Sequence, residues 1–139
     1  MAGTSPKVCW NEAQVLATNS THEVRFFSRS VEPGKLAFTF TSTLVQLSCE
    51  IEGHPMGGGM LKLEPSEAER VILPKLELVP VNPSEFERAD RYMRDGADGA
   101  LCDLADQVVL RRGLGLTWKQ IQVLRDGLER LRQSRRKGP

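Results

Sequence analysis

Several absences constrain this chain before any pattern is considered. Its 139 residues hold only two His and three Cys, and aromatic residues make up only 6%. The cysteines, Cys9, Cys49 and Cys102, are too far apart for a disulfide framework or a zinc knuckle, and no His/Cys spacing matches a closed zinc pattern. A reducing, cytoplasmic setting is therefore the simplest expectation. No apolar run approaches the length of a membrane span, and the N-terminus lacks the apolar stretch of a secretory signal. Charge of one sign is also missing: the formal net charge is +1. Total charge thus gives no argument for nucleic acid. No set of acid, base and nucleophile converges in the sequence, so catalytic, cofactor-binding and metal-ligating residues are all expected to be absent.

What is present suits one small domain or a small mixed core with a helical extension. Apolar residues make up 40% of the chain, a thin core at this size. The segments VCW and QVLATNSTHEVRFFS are rich in Val, Thr and Phe and predict short strands, with a turn at Asn19-Ser20-Thr21. Phe26, Phe27, Phe38 and Phe40 are expected in the core. From Lys35 the first few residues have strand propensity, but Phe40, Leu44, Leu47 and Ile51 recur at helical spacing. A helix over about 38–52, stopped by Gly53, is the expectation. Gly57, Gly58 and Gly59 mark a loop, Met60–Leu63 a short extended segment, and Pro65-Ser66-Glu67 the start of a brief helix carrying Ala68 to Val71.

The remainder predicts three helices. NPSEFERADRYMRDG offers Phe86, Ala89 and Met93 as an apolar stripe, and GALCDLADQVVLRRGLG offers Leu101, Leu104, Ala105 and Val108. The last begins at Thr117 as N-cap, with Ile121, Leu124, Leu128 and Leu131 on one face. Cys49 and Cys102 fall in apolar patterns and are expected to be buried, and Trp118 to cover a core edge. The fold class expected is α+β: a mixed module at residues 8–75 and a helical region at residues 84–134, packed on that module or on a partner. The last twelve residues, LERLRQSRRKGP, carry five basic residues and one acidic one. They are either a solvated terminus or a phosphate-contacting tail.

The ordered combination of ATNSTHEVRFF, the helix ending LVQLSCEIEG, and the run MGGGMLKLEPSEAERVILP resembles the C-terminal region of class I adenine-specific DNA methyltransferases. The similarity is to the group found in combined restriction–modification enzymes and covers roughly residues 10–75. The family features fall on Asn19 to His22, Gly57 to Leu63, Ser66 to Arg70, and Pro74. The resemblance implies a target-recognition or clamping role on double-stranded DNA beside a catalytic domain or subunit that binds S-adenosylmethionine. The Asn-Pro-Pro-Tyr type motif of that catalytic domain has no match, since Asn82-Pro83 is followed by Ser84 and Glu85. The chain by itself is therefore expected to bind no S-adenosylmethionine and to transfer no methyl group. On this reading it is a fragment, a split subunit or a solitary accessory domain.

The DNA-facing candidates are His22, Arg25, His54, Gly57, Gly58, Gly59 and Lys62. Three consecutive glycines permit close backbone approach to a phosphate or base edge, and Lys62 and Arg25 supply positive charge. Each also has a structural reading: a mobile surface loop, a solvated arginine, a histidine favoured by a helix C-terminus. Trp10 and Trp118 are candidate stacking platforms. The competing function is a protein-interaction or structural domain whose late helices pack on a catalytic partner or form a homodimer.

Overall fold

The computed structural model describes residues 5–18, 21–26 and 31–137. Two short helices, α1 (Pro33–Thr39) and α2 (Thr43–Glu52), lead into a hairpin of β1 (His54–Met56) and β2 (Met60–Lys62). A one-turn helix, α3 (Pro65–Ala68), follows. Then come α4 (Pro83–Arg94), α5 (Asp98–Ala105), a π-helix at Asp106–Gly113 that continues α5, and the long α6 (Trp118–Lys137). This is the α+β class expected, with helices dominating and a two-stranded antiparallel sheet.

Local chemistry accounts for most boundaries. Pro33, Pro65 and Pro83 each open a helix at its first position, where a missing N–H costs nothing. Asn82 and Glu85 form a reciprocal capping box at α4, each side chain taking the other's backbone N–H at 3.0 Å. Thr117 and Gln120 do the same for α6: the Gln120 carboxamide oxygen accepts from Thr117 N–H at 2.8 Å. Gly53 ends α2 because a Cβ there would lie 2.8 Å from the Lys62 carbonyl oxygen. No side chain fits between the helix end and β2.

The first third of the chain departs from expectation. Residues 5–18 and 21–26 form no strand; the one ladder among the described residues is β1–β2. Strand propensity there finds no neighbouring edge to pair with. Asn19, Ser20 and Phe27 lie outside the described residues, though Thr21 N–H does reach the Thr18 carbonyl at 3.1 Å. Phe26 is 39% exposed rather than part of the core.

The helix expected over 38–52 is two helices, broken at residues 40–42. The hydroxyls of Thr39, Thr41 and Ser42 donate back to the carbonyls of Lys35, Phe38 and Thr39 at 2.7–2.8 Å. Such bonds compete with the helical ladder. The predicted stripe is also rotated: Ile51 is 63% exposed, while Thr43, Val45, Gln46, Ser48 and Cys49 are buried. The polar members of that face are hydrogen-bonded, which makes their burial tolerable. The brief helix after Glu64 stops at Ala68, short of Val71.

Two apolar clusters result. The larger gathers Phe38, Val79, Ala89, Leu101, Leu104, Ala105, Val108, Val109, Leu110 and Ile121. The smaller joins Val45 and Cys49 of α2 to Leu61 of β2 and Val71. Leu61 thus anchors the hairpin, and the strand's alternation turns Met60 and Lys62 outward. Burial pushes the Cys49 thiol up to about 12, whereas Cys102 is half-buried and Cys9 exposed. Trp118 is 53% exposed and does not seal a core edge.

Asp106 organises the junction of the helices. Its fully buried carboxylate accepts from Thr43 N–H at 2.8 Å and Thr43 Oγ1 at 2.7 Å. It thereby caps α2 from another element, since Ser42 makes no side-chain cap. Arg125 of α6 donates its Nε to the same carboxylate at 2.8 Å. Replacing Asp106 by Ala leaves an orphaned helix N-terminus and leaves Arg125 with only the exposed Asp103 as its counter-charge. We expect a loss of about 3 kcal/mol, read as a lower midpoint in urea unfolding.

Candidate nucleic-acid interface at the glycine hairpin

The residues singled out from sequence lie largely in one place. His54 and Lys62 face each other in the β1–β2 register, with Met56 opposite Met60. Gly57, Gly58 and Gly59 make the turn between them, and Gly58 and Gly59 have φ of 74° and 71°. That left-handed region is where glycine is at home and side chains are strained. Among the described residues nothing approaches a Cβ placed on Gly57 or Gly58 within 4 Å, so the tip stands open to a ligand. His22 joins the group from the N-terminal segment: its Nε2–H donates to the Leu63 carbonyl at 3.1 Å, just past β2. Arg25, by contrast, pairs locally with Glu23 at 3.1 Å, and its side chain is 82% exposed.

Carboxylates engage two of the candidates. Lys62 Nζ lies 2.5 Å from Glu64 Oε1; this partner raises the lysine pKa and lowers that of Glu64. His54 Nδ1 donates to Glu67 Oε1 at 2.9 Å. The other Glu67 oxygen accepts from Glu64 N–H at 2.6 Å, and these bonds hold the Glu67 carboxyl below its ordinary range.

The glycine loop and the basic tail read from sequence as alternative contacts, and the structure brings them together. Arg135, in the last turn of α6, donates to the Gly59 carbonyl and forks onto Glu50 of α2, Nε to Oε2 and Nη2 to Oε1, both at 2.9 Å. The Glu50 and Arg135 side chains are almost wholly buried. Arg132 lies 3.5 Å from the same Glu50 carboxylate and donates to Gln46 at 3.3 Å. Neither arginine is a spare surface cation. Arg136 is different. Its backbone and side chain run 3.5 Å from a Cβ built on Gly59, and it is exposed. Arg136 and Lys137 have no ion-pair partner among the described residues. Positive charge available beside the turn therefore sits on α6 more than on Lys62. Glu50 and Arg135 were missed from sequence; the available signal was a glutamate inside the buried pattern of α2 and arginines three apart on α6.

Among the described residues no group of three or more His, Cys, Asp or Glu is arranged to hold a metal ion, and no helix is long and apolar enough to cross a membrane.

Comparison with known proteins gives one match: the family model described as type II methyltransferase M.Eco57I, C-terminal domain, aligns with residues 1–110. No curated protein and no solved structure matches the chain.

Two outcomes are expected at the hairpin. Glu50→Gln removes the charge that matches Arg135, and amide hydrogen exchange at residues 57–62 should accelerate at least tenfold while α4 and α5 stay protected. The second concerns pH. A carboxyl held below its ordinary value stabilises the fold above that value, 4.5, and loses the contribution as pH falls through the folded one. The hairpin–α3 junction should therefore loosen as pH drops below about 4.5. In Glu67→Gln that part of the acid transition, followed by the His54 ring proton shifts, should vanish.

Proposed function

This chain belongs to the family of the C-terminal domain of the type II methyltransferase M.Eco57I, and from that premise we propose that it holds duplex DNA for an adenine-specific methyltransferase whose catalytic domain binds S-adenosylmethionine. The observation that carries the reading is the seating of the open glycine turn on the basic end of α6. Chemistry on a base requires its removal from the stack, so another surface must grip the remaining duplex. The turn can approach a phosphate without side-chain interference, and Arg136 supplies charge beside it, in a last helical turn that also carries Lys137. Lys62 can join by leaving Glu64, because solvent screens an exposed pair and leaves it weak. The methyl-transfer chemistry belongs to the catalytic domain, and isothermal titration with S-adenosylmethionine should show no saturable binding to this chain.

A second reading, a surface for a protein partner, is favoured by a different observation. The N-terminal segment leaves Trp10, Val15, Leu16 and Val24 more than half exposed. Exposed apolar groups in such number suit coverage by another protein. The two readings concern different faces and are compatible: the arm against the catalytic domain, the hairpin against DNA.

Fluorescence anisotropy with a labelled duplex across a salt series tests the DNA role. Binding should be weak and fall steeply with salt. Lys62→Ala with Arg136→Ala should flatten the log–log slope by about 0.9 for each phosphate no longer neutralised. Arg132→Ala is unsuitable as a probe of the duplex, because Arg132 supports the α2–α6 junction. An unchanged slope in the double variant would place the duplex elsewhere. No wild-type binding at low salt would leave the protein-partner reading as the better one.

A further inference from the structure

At the other end of α6 lies a second cleft that the hairpin does not involve. Trp118 and Arg136 are separated by roughly 27 Å along the helix, at 1.5 Å rise per residue. The cleft, of about 490 Å³, is lined by Arg88 and Tyr92 of α4, Asp103 of α5, Gln107 of the π-helix, and Trp118 and Arg125 of α6. Its volume lies within the roughly 300–1,000 Å³ typical of small-molecule sites. Three features are left unused by the fold. Trp118 is more than half exposed, although the Thr117–Gln120 box fixes the helix start that carries it. The exposed Arg88 guanidinium has no ion-pair partner among the described residues, and the exposed Gln107 carboxamide makes no hydrogen bond among them. Arg125, in contrast, is held in place by Asp103 and Asp106, each at 2.7 Å. Gln107 lies in the first turn of the π-helix, and such distortions of helical geometry recur at functional sites.

We propose that this cleft takes one unpaired nucleotide of a DNA strand. An exposed indole offers a face on which any base can stack. A free carboxamide both donates and accepts, as a base edge requires, and a free guanidinium matches a phosphate. No duplex base pair can enter, because its edge, not its face, is what a duplex presents. This strand site is separate from the grip assigned to the hairpin and does not rest on it.

The test uses the whole chain with Trp10→Phe, which leaves Trp118 as the only tryptophan. A ten-nucleotide single strand should quench its fluorescence saturably. A strand of equal length and charge carrying abasic units should not. In the otherwise wild-type chain, Trp118→Leu and Arg88→Ala should each weaken single-strand binding, read by anisotropy, about tenfold, with unchanged circular dichroism. Both side chains are exposed, so the fold should tolerate their loss. Equal binding of the abasic strand overturns the proposal, since phosphate alone would then suffice. Unchanged affinity in Trp118→Leu overturns it as well, by placing the strand elsewhere. Adenosine monophosphate binding as tightly as the ten-mer would overturn a strand as the source. Duplex binding through the hairpin can fail without affecting any of these readings.

Discussion

Between α2 and α6 the Glu50 carboxylate meets the Arg135 fork with both oxygens, and almost no water reaches either side chain. Burying two charges costs several kcal/mol per ion, and a well-packed apolar pair often does as well for stability. The value of this pair lies in position. An apolar pair would pack in many registers, whereas a bidentate fork fixes one. The same guanidinium donates to the Gly59 carbonyl, so the register of α6 on α2 also sets where the hairpin turn stands. Arg132 and Gln46 extend the network, and Gln46 donates to the carbonyls of Phe40 and Pro6. The helix break and the start of the N-terminal segment are thereby tied to the same junction.

Asp106 plays the corresponding role toward the other end of α6, joining the start of α2, the π-helix and Arg125. Two buried carboxylates thus hold one long helix at two points, Asp106 at Arg125 and Glu50 at Arg135. The arrangement suits a chain with a thin core. Where apolar area is limited, directional polar contacts define one packing among several of similar energy. It also leaves both ends of α6 with exposed groups that form no ion pair among the described residues: Arg136 beside the glycine turn with Lys137 after it, and Trp118 across the cleft from Arg88.

Charge distribution, rather than total charge, governs what the surface can do. With a net charge of +1, no broad field draws in an anionic partner. Lys62 and His54 each face a carboxylate, so little positive charge is left over at the turn except where α6 ends. A polyanion held there would be held locally and weakly, in keeping with a domain that assists a catalytic neighbour. The exposed apolar side chains of the N-terminal segment mark a different face, one whose chemistry suits protein rather than phosphate.

Helices with strong local signals were legible from residues alone. The helix starts at Pro65 and Pro83, the Thr117 cap and the glycine loop before a short strand are near-neighbour effects, and near-neighbour chemistry is written in the sequence; the helix opened by Pro33 and the strand before the glycines were not read. Also legible was the grouping of His54, Gly57–Gly59 and Lys62, because a hairpin places them together by its own geometry. What failed was whatever depended on distant partners. Residues 8–18 and 21–26 have strand propensity but pair with no strand among the described residues. The 38–52 helix breaks where hydroxyls bond back to their own chain, and its buried face carries Thr43, Gln46 and Ser48 beside Val45 and Cys49 because groups outside α2 satisfy them. Arg132 and Arg135 read as part of a basic tail, yet burial against Glu50 turns them into structural cations while the neighbouring Arg136 stays free. A sequence shows that a charge exists; only tertiary packing decides whether its counter-charge lies within the protein or must come from a ligand, because that choice is made by residues some 85 positions apart.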